Sequence, residues 1–370
     1  MLASRLLSVA LCFQRIIEEA TLTNDTNPQS DKPDDEGGVI ASAISVISGS
    51  NLPAPIKRNF FKALGQLCTA AIEIPVAYME GVVLEKHAET HARIKLIEKS
   101  ANEIAAQMQF DPEYARAAVK KFGQRVIREQ INLDRITSQA ADTLTSNQPD
   151  TPQDASEQKE VDDDWLNVFE KEAAQKSTEE MQAMFARLLA GEIRRPSTFS
   201  IRSVRLLGSL DQPTAKLFKM FCSMCIAMRI KTTQEDHIID ARVPSLGGNA
   251  ALNALSKYGL SFDRLNLLQE YGLIISDYNS WIDYRPCIAN DKKTVALPFE
   301  FGQDWWALVP KEGFTHANEL QVNGVALTSA GKELMTIVAS EYAPSFATDL
   351  VAWFDGKNLS MTRAIVRPET

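Results

Sequence analysis

Cysteine and histidine are scarce in this chain of 370 residues, which holds five of the first and four of the second. Cys12, Cys68, Cys222, Cys225 and Cys287 are odd in number and set mostly among apolar residues. That favours reduced thiols in a cytosol over a disulfide framework. So few histidines suggest no hydrolytic triad. A Gly-x-Ser-x-Gly elbow is absent. So is a phosphate-cradling loop, because Gly247-Gly248-Asn249 lacks the lysine and the strand-to-helix setting that loop needs. No apolar run reaches the length of a membrane span, which argues against integral insertion. Positive charge is also short: 39 Lys and Arg against 48 Asp and Glu leave a net charge of −9. A generic nucleic-acid binder is therefore disfavoured, although local basic patches survive such a balance.

What is present is helical patterning with two polar interruptions. The opening run, MLASRLLSVALCFQRIIEEA, lacks a small-residue cleavage pattern and is broken by Gln14, Arg15, Glu18 and Glu19 at helical spacing. It is expected to be an amphipathic helix rather than a signal peptide. An acidic, proline-broken tether follows, so 1–37 form a first region. Gly38 to Ser50 is uncharged and apolar; it is expected as a buried helix, with a membrane-touching or oligomer-forming segment as the alternative. Lys57, Arg58 and Lys62 on the next helix either form a solvated face or meet anionic headgroups.

Val83, His87, Thr90, Ile94, Ile97, Ala101, Ile104 and Met108 alternate steps of four and three, which is a heptad seam. Phe110-Asp111-Pro112 turns the chain, and Glu113 to Leu144 returns with Val119, Phe122, Val126, Leu133, Ala140 and Leu144 expected to face inward. So short a turn predicts a long antiparallel hairpin over 38–145. Residues 146–164 form an acidic linker.

In 165–210, capping, periodicity and stops agree. Ser177 with Glu180 makes a capping box, and Met181, Met184, Phe185, Leu188, Leu189 and Ile193 form one apolar stripe. Pro196 stops that helix. Ser200 is placed to cap a second helix and Asp211, ahead of Pro213, a third. Beyond it, 211–341 opens with Thr214 to Arg229, expected as one buried helix. Short helices around Gly259, alternating aromatic-rich runs and a closing helix from Leu327 then suggest a winged helix. The tail, 342–370, holds a short helix with Trp353 and Phe354. The fold class expected is mainly α: a long antiparallel helical hairpin, a helical core and a C-terminal winged-helix-like α+β domain.

The run Asp164-Trp165, then Phe185-Ala186-Arg187-Leu188-Leu189-Ala190-Gly191-Glu192-Ile193, Pro196, Phe199-Ser200 and Arg202 resembles the core of a bacterial domain-of-unknown-function family. Its signature is W…(W/F)AR(L/I)LAGEI..PG.FS.R. The run is also similar to the core of the abortive-infection alpha (Abi-alpha) group. Arg128 to Asn132 and Leu327 to Gly331 fit the same likeness, and Ser197 stands where the signature has Gly. The resemblance implies no catalytic residue and an association with phage defence.

The strongest candidate site is the corner of this stretch. Arg187, Arg194, Arg195, Arg202 and Arg205 concentrate positive charge there, with Glu192 the acid among them. One reading is an anion contact at the helix start at Ser200. The other is internal neutralisation by Glu192 and Asp162 to Asp164. His87 and His91 stand four apart, but H-A-E-T-H lacks the glutamate directly after the first histidine and no third ligand is obvious. A polar layer in the seam is expected over a metal site. Cys222-x-x-Cys225 lies in an apolar run with no second pair, so two core thiols are expected.

The expectation is a cytoplasmic protein with no catalysis of its own and no cofactor, assembling with itself or a protein partner. A DNA-binding regulator is one alternative, though the would-be recognition helix offers Asp263, Arg264, Asn266, Gln269 and Glu270. A membrane-peripheral effector is the other.

Overall fold

The computed structural model describes residues 36–68, 112–146, 159–231, 236–290, 292, 294–315, 319–338 and 342–364. The N-terminal helix, nearly all of the tether, the heptad seam with His87 and His91, and most of the linker lie outside them.

Among the described residues, seven α-helices come first. They are α1 (Glu36–Gly49), α2 (Ala54–Leu67), α3 (Pro112–Ser146), α4 (Asp163–Ala173), α5 (Glu179–Arg194), α6 (Ile201–Ser209) and α7 (Gln212–Cys222). Helix α5 is the hub: Met181, Met184, Phe185, Leu188, Leu189 and Ile193 are all buried, as the spacing predicts. It packs on α2 and α3. Phe185 meets Phe169 edge to face at 5.6 Å, and Phe169 stacks on Trp165 at 5.2 Å. Each such ring removed from water stabilises the fold by about 1.5–3 kcal/mol. Ile40, Ala43 and Ile47 bury one face of α1.

The caps follow the sequence at two of the three helices for which one was expected, and Asp162 caps α4 as well. Asp162 accepts from Trp165 N (2.9 Å), Ser200 from Ser203 N (3.2 Å) and Asp211 from Thr214 N (2.8 Å). The expected Ser177 capping box does not form. Thr178 is the N-cap of α5, and its side chain makes no capping bond.

The expectation of a mainly α protein with a winged helix is overturned by a seven-stranded sheet, which makes this an α+β fold. Its strands are β1 (Ile226–Lys231), β2 (Asp236–Pro244), β3 (Trp281–Asp283), β4 (Phe299–Phe301), β5 (Asp304–Pro310), β6 (Gln321–Ala326) and β7 (Leu359–Arg363). They run in the order β3-β6-β2-β1-β4-β5-β7, every pairing antiparallel. The central strand β1 occupies the end of the stretch expected as one helix from Thr214 to Arg229. Helix α7 stops at Cys222, and Ile226 then pairs with Arg242 on one side and Phe301 on the other. A strand flanked on both edges and buried on both faces reads as a continuous apolar run, which periodicity alone does not separate from a buried helix.

Helices α8 (Phe262–Glu270), α9 (Ser329–Met335) and α10 (Pro344–Asp355) complete the described elements with three short 3-10 turns. The tail supplies edge strand β7, which pairs with β5 from Leu359 against Pro310 to Arg363 against Trp306. One hydrophobic core runs from Ile40 through α5 to Phe299 and Leu359.

Helix α3 departs from expectation at one end. Leu133, Ile136, Ala140 and Leu144 are buried, but Phe122 and Val126, expected to face inward, are exposed. No helix among the described residues is long and apolar enough to cross a membrane.

Candidate functional site

The corner between α5 and α6 is built around a buried carboxylate. Pro196 ends α5, and Ser197 then takes the left-handed conformation (φ 72°), which reverses the chain within a few residues. That reversal leaves backbone N–H groups pointing inward with no helix carbonyl to meet them. Glu192, 1% exposed, reaches across from the last turn of α5. Its Oε1 accepts from Ser197 N at 2.6 Å and its Oε2 from Phe199 N at 3.0 Å. Burial pushes its carboxyl above the usual range; the bonds from Phe199, Ser197 and Thr198 oppose that rise, and the charge of Glu333 adds to it. Phe199 closes the corner against Gly191, where an added Cβ would sit 2.6 Å from the ring.

The start of α6 carries a second carboxylate, from 130 residues further along. Glu333 Oε2 accepts from Ser200 N (2.7 Å), Ser200 Oγ (3.0 Å) and Ser203 Oγ (2.7 Å). The anion expected at this helix start is thus a side chain of the protein itself, held at the positive end of the α6 dipole. Sequence reasoning missed Glu333 in this role. The nearby Leu327-Thr328-Ser329-Ala330-Gly331 run was visible, and Thr328 caps α9 by accepting from Gly331 N at 3.0 Å. Nothing local to Glu333 announces a partner so distant in sequence.

The five arginines spread outward. Arg187 donates to the carbonyl of Ile337, just past α9, and Arg194 to the carbonyl of Leu144 in the last turn of α3 (3.1 Å). A guanidinium at a helix C-terminus meets unsatisfied carbonyls and the negative end of the dipole. Burial lowers the pKa of both, and Arg195 lowers that of Arg194 further. Arg202 and Arg205 are exposed, Arg202 lying beside Gly272. Of the acids expected to neutralise them, Asp162 caps α4 and Asp163 pairs with Lys62 at 2.9 Å. The arrangement is a helix junction with charge matched to helix ends. Chemically it holds chain segments in place.

The other segments in the likeness do similar work. Asn132 donates to Ala174 O (2.8 Å) and accepts from Gln182 Nε2 (3.1 Å), tying α3 to the α4–α5 turn. Lys57 donates to the carbonyls of Ser48 and Ser50, and Arg58 pairs with Glu160 (3.0 Å). The cations considered for headgroups are therefore engaged within the protein.

A second buried polar cluster lies in the sheet, unforeseen from sequence. Arg242 donates to both oxygens of Asp240 (2.7 and 2.8 Å) and to the carbonyls of Ser280 and Val322. Tyr284 Oη, fully buried, makes no hydrogen bond. Burial raises the pKa of Tyr284 and of Cys222, Cys225 and Cys287, so these thiols stay protonated and unreactive. Cys222 and Cys225 are core residues, as expected.

The geometry thus defines an α+β protein in which the stretch from Trp165 to Leu210 forms a helix junction. Residues 116–351 match the model of a family described as "Protein of unknown function (DUF2806)", and the chain belongs to that family. The match spans from α3 to α10 and includes every corner residue above. No curated protein matches the chain, and no solved structure does.

Proposed function

We propose that this protein is a non-catalytic interaction protein of the bacterial cytoplasm, assembling with itself or a protein partner and serving in phage defence of the abortive-infection kind. The observation that carries the non-catalytic part is the corner: Glu192 and Glu333 hold backbone and hydroxyl donors of the chain itself. An acid–base pair needs a carboxylate within reach of a substrate proton, and these two are engaged in holding α6. The defence role is supported by the likeness of Phe185 to Ile193 and Phe199-Ser200 to the abortive-infection core, which is an argument by analogy. The regulator alternative loses the winged helix on which it rested.

The test has two arms. Deleting the gene is expected to raise phage plating, and restoring it to lower plating, across a broad panel; unchanged plating on every phage would end the defence role. Light scattering on the purified chain is expected to give a mass above one copy, alone or with its partner. A strict monomer that co-purifies with nothing would remove the assembly role.

A further inference from the structure

We draw no further inference here: the strongest candidate, the apolar face of Phe122, Val126 and Ile127 in the first half of α3, is open only with respect to the described residues, and with residues 69–111 outside them nothing in the structure shows what covers it.

Discussion

The α5–α6 corner and the first half of α3 are opposites built from similar residues. Both place arginines beside an apolar stripe. At the corner the stripe is covered, and Arg187 and Arg194 are drawn onto helix-end carbonyls. In the first half of α3 the stripe of Phe122 and Val126 is open among the described residues, and Lys121 and Arg128 face water. The difference teaches that a stripe marks which face is apolar and says nothing of what, if anything, lies against it. At the covered stripe Arg187 and Arg194 are held on carbonyls of the protein; at the open one Arg125 pairs with Glu129 while Lys121 and Arg128 face water.

The comparison predicts a steep gradient in stability. Leu188→Ala, in the fully buried hub, should cost about 2–5 kcal/mol by chemical denaturation, since a cavity adds to the lost transfer energy. A loss as small as that of an exposed residue would break the contrast at its closed end.

Next in size is Glu192→Ala, which leaves the Ser197 and Phe199 N–H groups without an acceptor and should cost about 2–3 kcal/mol. Glu192→Gln should cost less and should change the response to pH. Burial raises the carboxyl pKa in the folded state. Its stabilising contribution is therefore full below the ordinary glutamate range and is lost as pH rises through the raised folded value. Stability curves for wild type and the Gln variant should separate as pH rises through that interval; parallel curves would remove Glu192 from the account.

Ser197→Gly should be smaller and of opposite sign. The left-handed backbone costs a non-glycine residue about 1 kcal/mol, part of which the freer unfolded glycine chain gives back. A net gain below about 1 kcal/mol in melting experiments is expected, and destabilisation would mean the Ser197 side chain contributes something further. Smallest of all, Phe122→Ser at the open end should change stability by less than about 0.5 kcal/mol. A larger loss would show that this end is covered after all.

Much of the corner was legible in the sequence. The apolar stripe of α5, its stop before Pro196, and the caps at Ser200 and Asp211 depend on neighbours within a few residues, where spacing and steric rules act directly. Ser197, where the resemblance has Gly, takes a positive φ, as do Leu246, Asn253 and Asn358; the sequence did not say so beforehand. The carboxylate of Glu333 was not legible, because no local pattern records a partner 130 residues away.

The sequence by itself determined the local half of this protein: where α5 stops, where α6 and α7 start, which face of α5 is apolar, and that Cys222 and Cys225 are buried core thiols. Only the tertiary structure decided that Ile226 to Lys231 is the central strand of a sheet, that Glu192 and Glu333 close the corner, and that Phe122 is left in water. The physical reason is that caps and periodicity are fixed by short-range geometry, whereas strand pairing and burial depend on which distant segments arrive alongside.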